Sequence, residues 1–197
     1  MTSGKRLIFI TGRAGIGKTS VLLRALNDLK RRGYKIGGMI SREVREGGIR
    51  VGFEIVDFCN GKRGWLAHRN QAMGPQIGKY RVNLRDLNAV GSRSILNATA
   101  SDDIVVVDEI GPMELLSQTF RDAVVQAIES EKPLLGTIHY RLRDPVIHLI
   151  KTRRDAEILE VTYENRESLH KMVAEMVDSL LKAAKLDQSS SHKSSVT

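Results

Sequence analysis

Three glycines, a lysine and a threonine lie close together near the start of the chain. Gly12, Gly15 and Gly17 precede Lys18 and Thr19 in the spacing Gly-x-x-x-x-Gly-Lys-Thr. Glycines let backbone N–H groups approach phosphate oxygens because no Cβ stands in the way. The lysine adds a point charge for the β and γ phosphates, and the threonine hydroxyl is a ligand for Mg²⁺. The spacing therefore predicts a phosphate-binding loop, and it differs from the GxGxxG fingerprint of dinucleotide-binding sites.

An acidic pair follows four β-branched residues in the middle of the chain. Residues 104–107 predict a strand that is buried on both faces, and Asp108 and Glu109 come at its carboxyl end. Ligands bind outside the carboxyl ends of strands in open α/β sheets. We interpret the pair as a Walker B motif in which Asp108 holds Mg²⁺ together with Thr19. Glu109 is then placed to orient or deprotonate an attacking water, so Glu109 and Lys18 are the predicted catalytic residues.

The segments around the phosphate-binding loop predict the fold. Residues 7–10 are an apolar run typical of a buried strand, and residues 36–40 predict a second strand. Between them, residues 18–32 carry a stripe of apolar side chains at helical spacing, and Gly33 is the expected C-cap. This β-α-β beginning predicts an α/β protein with a mainly parallel central sheet.

Residues 41–68 interrupt the alternation of strands and helices. Segments 43–45 and 49–56 flank the turn Glu46-Gly47-Gly48, which predicts an antiparallel hairpin, and residues 64–68 add a short strand with Trp65. We interpret this region as a β insertion beside the phosphate-binding loop. Its arginines, Arg42, Arg45 and Arg50, are interpreted as a solvated hairpin face in preference to phosphate ligands.

The rest of the chain completes one domain over residues 1–185. The predicted elements are a loop at 69–80, a helix at 84–96, a helix at 113–129, a strand at 133–138, a strand at 157–161, and a helix from about 162–166 to about 185. The strand at 133–138 ends at Thr137 and His139, and a polar residue there either senses the γ phosphate or is an ordinary strand end. We expect the serine-rich residues 186–197 to be disordered.

A basic stretch at residues 140–155 has two interpretations. Arg141, Arg143, Arg153 and Arg154 lie on it. They either close over the phosphates in the manner of a kinase lid or an arginine finger, or they belong to a solvated helix face.

Composition narrows the class of protein. No window approaches the ~18 apolar residues of a membrane span, and the single Cys59 cannot form an internal disulfide. We therefore expect a soluble cytoplasmic protein. Lys plus Arg 31 against Asp plus Glu 23 gives 31 − 23 = +8, which attracts polyanions. The aromatic residues that could stack on single-stranded nucleic acid are few, so a nucleic-acid partner is only weakly supported.

Longer stretches of the sequence resemble a family of small nucleoside-triphosphatases first described in thermophiles, whose human member is called cancer-related nucleoside-triphosphatase. The resemblance covers nearly all of residues 6–181. Its most specific motifs are EVREGGIRVGFEIVD at 43–57 and VVVDEIGPMELLS at 105–117. It also rests on GRAGIGKTS at 12–20, GKYRVNL at 78–84, LGTI at 135–138 and VTYENRESL at 161–169.

The resemblance implies a three-layer P-loop NTPase fold with a β-hairpin insertion. It also implies Mg²⁺-dependent hydrolysis of ATP, GTP, CTP and UTP with little base selectivity. Carried over by position, the nucleotide-binding residues are Gly12, Arg13, Ala14, Gly15, Ile16, Gly17, Lys18, Thr19, Asp108, Glu109, Ile110, Gly111 and Pro112. Some relatives have lysine at the position of Pro112, so an arginine of the basic stretch is the alternative source of that charge.

Other function classes stay open at this point. A nucleotide or small-molecule kinase would use the basic stretch as its lid, and an NTP-dependent nucleic-acid-binding protein would use the +8 charge. The run Asp108 to Gly111 also satisfies the DxxG pattern of regulatory GTPases. The chain has no Asn-Lys-x-Asp run to read guanine. The sequence does not determine the oligomeric state.

Overall fold

One mixed sheet runs through the computed structural model, which describes residues 4–193. Its strands are β1 (Leu7–Thr11), β2 (Ile36–Glu46), β3 (Ile49–Asp57), β4 (Arg63–His68), β5 (Gln76–Ile77), β6 (Tyr80–Val82), β7 (Ile104–Ile110), β8 (Leu134–Ile138) and β9 (Ala156–Glu160). Their order across the sheet is β5-β6-β4-β3-β2-β7-β8-β1-β9. The strands β2, β7, β8, β1 and β9 run parallel, so their carboxyl ends meet at one edge of the sheet.

Helices cover both faces of the parallel half. They are α1 (Lys18–Arg31), α2 (Leu84–Asp86), α3 (Arg93–Ser101), α4 (Gln118–Glu129), α5 (Pro145–Thr152) and α6 (Leu169–Lys193), with a π-helical segment at Leu87–Ser92 and a 3-10 helix at Glu114–Leu116. Buried side chains of α1 and α6 form one core cluster, and those of α3, α4 and α5 form the other. The predicted three-layer α/β fold is therefore confirmed. Over the described range, every helix is too short or too polar to cross a membrane.

The antiparallel half of the sheet contains the predicted hairpin. Strands β2 and β3 pair through the turn at Gly47 and Gly48, whose φ angles of 53° and 78° require glycine. The boundary predicted inside β2 is wrong, because residues 36–46 form one continuous strand. Ile40 pairs with Asp108 of β7, and β2 continues six residues past that point, roughly 20 Å. The hairpin therefore extends beyond the carboxyl edge of the parallel strands.

The hairpin arginines are bound to hairpin glutamates. Arg42 donates to Glu54 at 2.6 and 2.8 Å, Arg50 donates to Glu43 at 2.8 Å, and Arg45 also bonds Glu43. The interpretation of a solvated hairpin face fits these contacts.

Several predicted boundaries are wrong for local reasons. The segment predicted as a loop contains β5 and the start of β6, which pair with each other. The helix predicted over 113–129 is divided because Ser117 is extended and its hydroxyl accepts a hydrogen bond from Phe120 N at 3.1 Å, so α4 begins after this cap. The helix predicted over 84–96 continues to Ser101 through the π-helical segment.

The last helix begins and ends later than predicted. Asn165 forms a turn with Thr162, and α6 begins only at Leu169. The helix continues to Lys193, beyond the predicted end near Lys185 and into the segment expected to be disordered. Residues 194–197 of that segment lie outside the described residues.

A carboxyl group is buried in the turn that follows β7. Glu114 is 5% exposed, and a Cβ added at Gly111 would lie 2.9 Å from Glu114 Oε2, so the carboxyl packs directly on that turn. Burial raises the pKa of Glu114 to about 8, and the charges of the nearby Glu109 and Asp108 contribute to this increase. Glu114 is therefore mainly protonated in the folded protein near neutral pH.

We expect the stability of the protein to depend on pH through Glu114. Its pKa is about 8 in the folded protein, against an ordinary value of 4.5 that applies to the unfolded chain. The contribution of Glu114 to the free energy of unfolding is therefore full below pH 4.5 and is lost as pH rises towards 8. Glu114→Gln removes this titration. The free energy of unfolding, measured with urea, should rise in the variant relative to wild type by on the order of 2 to 4 kcal/mol between pH 5 and pH 8.

The matched control for this experiment is Glu131→Gln, at an exposed position. Its unfolding free energy should follow that of wild type across the same pH range. If the free energies of unfolding of wild type and Glu114→Gln changed in parallel with pH, Glu114 would not be protonated in the folded protein.

Candidate active site

The predicted phosphate-binding loop lies between β1 and α1, and its glycines adopt left-handed backbone conformations. Gly15 and Gly17 have φ angles of 76° and 111°, a region that side chains with a Cβ rarely adopt. The exposed Arg13, Ala14 and Gly15 form the tip of the loop. Ile16 is buried in the core between them and the helix, so it fixes the loop to the rest of the protein.

Helix α1 presents its N-terminus to this loop. It begins at Lys18, its N-cap Gly17 makes no side-chain cap bond, and its first turn holds no acidic residue. The first N–H groups of a helix have no partner within the helix, and they lie at the positive end of its dipole. These features suit the binding of an anion such as phosphate.

The loop also packs against the chain that follows β9. Val161 N donates to Thr11 O at 2.8 Å. A Cβ added at Gly12 would lie 3.0 Å from Val161 O and 3.1 Å from Ile16 Cγ2. Glycine at this position therefore permits the two segments to touch.

Asp108 occupies the junction of β7, β8 and α1. The β7–β8 register shifts by one residue between Val107 and Ile110, a bulge that changes which way the intervening side chains point. Asp108 is 1% exposed. Its Oδ1 accepts hydrogen bonds from Thr19 Oγ1 at 3.3 Å and from Thr137 Oγ1 at 2.5 Å. The chain thus brings the threonine of the predicted phosphate-binding loop to the predicted Walker B aspartate.

Glu109 faces the lysine of the phosphate-binding loop. Its Oε1 is buried and lies 3.5 Å from Lys18 Nζ, an ion-pair contact without hydrogen-bond geometry. The same Lys18 Nζ donates to Gly12 O at 3.5 Å. The lysine side chain is 13% exposed and the glutamate side chain is 28% exposed, so the pair is reachable from solvent but well shielded. The two predicted catalytic residues are therefore neighbours.

A divalent cation fits beside Asp108. Its Oδ2 is buried and has no hydrogen-bond partner, and burial raises the pKa of the carboxyl to about 6 against the opposing effect of the two threonine bonds. A bound cation would compensate this buried oxygen, and the Thr19 hydroxyl is a second hard oxygen ligand. Among residues 4–186, whose side chains the structure describes, no cluster of three or more His, Cys, Asp or Glu side chains is placed for a metal ion. Two protein oxygens suit Mg²⁺, which keeps waters and phosphate oxygens as its other ligands.

The residues after the acidic pair contribute little charge to the site. Ile110 is buried in the core, Gly111 packs on the Glu114 carboxyl, and Pro112 is half-buried. Among the described residues, Lys18 is the cation that acts on both Asp108 and Glu109.

The basic stretch is divided between the two edges of the sheet. Arg141 and Arg143 are exposed and follow β8, at the same edge as the phosphate-binding loop. Arg153 and Arg154 precede β9, whose first residue pairs with Leu7 at the opposite edge, so β9 separates them from the site by about 16 Å. Arg153 is moreover bonded to Glu129 and Asp155. Only the first two arginines lie at the edge where phosphates would bind.

Thr137 occupies a place that the sequence pattern left ambiguous. It is completely buried and its hydroxyl bonds Asp108, so it is not an exposed strand end. A hydroxyl residue in an otherwise apolar strand, next to the acidic strand end, was the available signal. No signal in the sequence indicated that Glu114 is buried. It is a charged residue in the segment predicted as an amphipathic helix, where charged residues are usually exposed.

Known proteins resemble this chain in sequence and in fold. A family model described as NTPase matches residues 7–174. The nucleoside-triphosphatase THEP1 of Thermofilum pendens is 44% identical over 173 residues, which cover 87% of this chain and 95% of that protein. The crystal structure of THEP1 from the hyperthermophile Aquifex aeolicus matches with a TM-score of 0.77 and 27% identity, over 87% of this chain and 98% of that one.

The solution structure of a human cancer-related nucleoside triphosphatase matches with a TM-score of 0.76 and 34% identity. This match covers 88% of the present chain and 98% of the human one. The sequence and the fold thus agree over the whole region that carries the phosphate-binding loop and the acidic pair. The chain belongs to the NTPase family of nucleoside-triphosphatases.

Proposed function

We propose that this protein hydrolyses nucleoside 5'-triphosphates to the diphosphate and phosphate with Mg²⁺, and that it accepts ATP, GTP, CTP and UTP. The observation that carries the proposal is the contact between Glu109 and Lys18 above the phosphate-binding loop. It places a carboxylate beside the lysine that would hold the terminal phosphates. The names of the relatives, nucleoside-triphosphatase THEP1 and human nucleoside triphosphatase, support the same reaction.

The proposed mechanism is attack of water on the γ phosphorus. Glu109 orients the water and accepts its proton as the new oxygen–phosphorus bond forms and the bond to the β–γ bridging oxygen breaks. Lys18 and the loop amides stabilise the charge that develops on the phosphate oxygens. When bound, Mg²⁺ would add charge neutralisation at the β and γ phosphates. Thr19 and Asp108 are the residues that would hold it.

Broad base specificity follows from where the recognition groups lie. The glycine-rich loop, Lys18 and Thr19 recognise only the phosphates, which all four nucleotides share. The guanine-reading Asn-Lys-x-Asp run is absent from the sequence.

The structure does not favour the kinase alternative. Helix α5 of the basic stretch buries Val146, Ile147 and Ile150 in the core. Its N-cap Asp144 is bound by Arg121 through two hydrogen bonds of 2.7 and 3.0 Å. This helix is therefore fixed to the body of the protein, whereas a kinase lid must move over its substrates.

The direct test is phosphate release from ATP, GTP, CTP and UTP by the purified protein. We expect comparable release from all four with Mg²⁺ and none with excess EDTA. Single-stranded RNA added to a parallel set tests the nucleic-acid alternative. Stimulation by RNA, with RNA binding that falls steeply with salt, would favour that alternative.

Glu109→Gln should retain nucleotide binding and lose turnover. The amide keeps the shape of the side chain but cannot accept the proton of water, so kcat should fall by about 100-fold or more. Calorimetry with ATP measures binding, and phosphate release measures turnover. The exposed control Glu131→Gln should match wild type in both. Unchanged turnover of Glu109→Gln would remove this residue from the mechanism.

Thr137→Val should weaken the response to Mg²⁺. Valine has a similar shape but leaves Asp108 with one hydrogen bond fewer, and loss of such a supporting bond typically costs about 10-fold in metal affinity. We expect the Mg²⁺ concentration for half-maximal phosphate release to rise by about that factor. The exposed Thr152→Val is the control. The same Mg²⁺ dependence in both variants would show that Thr137 does not position Asp108.

Replacing the exposed arginines tests whether the basic stretch supplies a catalytic charge or is only a solvated surface. Because Arg141 and Arg143 lie at the edge of the phosphate-binding loop, the double variant Arg141→Ala/Arg143→Ala should lower kcat by about 10-fold or more. Arg154→Ala, at the opposite edge, should not change kcat. Equal kcat for both variants and wild type would assign the basic stretch to the solvated surface.

A further inference from the structure

A tyrosine is exposed in the segment that touches the phosphate-binding loop. Tyr163 follows β9 and is 73% exposed. It lies two residues after Val161, whose carbonyl oxygen would be 3.0 Å from a Cβ at Gly12. Two residues span at most about 7 Å of chain, so Tyr163 is close to the start of the loop. An exposed aromatic ring beside a ligand site is a candidate contact for that ligand.

The segment around Tyr163 is held by specific contacts. Asn165 Oδ1 accepts from Thr162 N at 2.9 Å, and Asn165 Nδ2 donates to Glu160 O at 2.8 Å. Glu167 forms an ion pair of 2.7 Å with Arg24 of α1, the helix that begins at the phosphate-binding loop. Tyr163 is therefore carried by a turn whose position is tied to the loop.

One face of the Tyr163 ring is covered and the other is available. The Arg166 guanidinium carbon lies 5.3 Å from the ring centroid, within the range of a cation–π contact. A ring that is stacked on one face and still 73% exposed offers its second face to solvent. A nucleobase is a flat ligand that binds such a face by stacking.

The order of the strands places Tyr163 at the nucleoside end of a bound triphosphate. Glu109 and Lys18 mark the γ end, and Glu109 belongs to β7. The segment with Tyr163 follows β9, three strand spacings away in the order β7-β8-β1-β9, which is about 14 Å. The phosphate-binding loop follows β1, between these two positions. A triphosphate laid along the loop from Glu109 therefore directs its nucleoside towards Tyr163.

We propose that Tyr163 is the stacking platform for the nucleobase, with Arg166 supporting the opposite face of its ring. The inference rests on the proposed function of the phosphate-binding loop and deepens it. Stacking tolerates every base because each has an aromatic face, and it needs no hydrogen-bond donors or acceptors on the base edge. One residue would thus bind the base without selecting among the four nucleotides.

The test compares nucleotides with inorganic triphosphate, which has phosphates but no base. Equilibrium binding of ATP, GTP, CTP, UTP and inorganic triphosphate, each with Mg²⁺, is measured by calorimetry for wild type, Tyr163→Ala and Tyr163→Phe. We expect Tyr163→Ala to weaken binding of all four nucleotides by about 10-fold and to leave inorganic triphosphate unchanged. Tyr163→Phe keeps the ring and should bind like wild type. The kcat of Tyr163→Ala at saturating nucleotide should stay within about twofold of wild type, because the chemistry occurs at the γ phosphate.

Met73→Ala is the matched control, since Met73 is also a large exposed side chain, at 80%, and it lies between β4 and β5 at the far side of the sheet from β9. Its nucleotide binding should equal that of wild type. Equal loss of nucleotide and inorganic triphosphate binding in Tyr163→Ala would overturn the inference in favour of a structural effect on the loop. Unchanged nucleotide binding in Tyr163→Ala would overturn it as well. Binding is measured separately from turnover. Absence of hydrolysis in wild type would therefore reject the proposed function, while the binding data would still test the stacking of the nucleobase on Tyr163.

Discussion

The buried carboxylate of Asp108 is the constraint on which the rest of the site depends. It bonds a threonine from the phosphate-binding loop helix and a threonine from the neighbouring strand, so it joins three elements that are far apart in sequence. Its second oxygen is buried without a partner. A buried unsatisfied oxygen is costly to folding. In the proposed function, a bound cation would compensate this oxygen.

The charge distribution around this carboxylate explains how phosphate and metal would cooperate. Asp108, Glu109 and Glu114 bring three carboxyl groups into one region, with Lys18 in contact with one of them. Burial keeps the Glu114 carboxyl largely protonated, which limits repulsion in this region. A triphosphate would compete with Glu109 for Lys18, and a cation would neutralise Asp108. Binding of both would free the Glu109 carboxylate to act on water, a coupling that separate sites could not provide.

Much of this architecture was predictable because its signals are local. The apolar run of β7 followed by Asp108 and Glu109, and the glycine spacing before Lys18, identify both halves of the site in the sequence. The hairpin turn at Gly47 and Gly48 was predictable for the same reason, since those positions require left-handed backbone. The boundaries that failed depend on single hydrogen bonds and short strand pairs, which residue spacing does not predict. The break before α4, for example, occurs because the Ser117 hydroxyl caps the helix by accepting a hydrogen bond from Phe120 N.

The sequence alone determined which groups are the candidates for the proposed chemistry: Lys18, Thr19, Asp108 and Glu109 follow from residue type, spacing and their places at strand ends. The tertiary structure decided which other groups join them. It buried Thr137 against Asp108, placed Arg153 and Arg154 at the far edge of the sheet, and set Tyr163 beside the loop. The physical reason is that strand order across a sheet depends on long-range packing, whereas motif spacing records only neighbours along the chain. Residues 137 and 163 lie near the phosphate-binding loop because β8 and β9 flank β1.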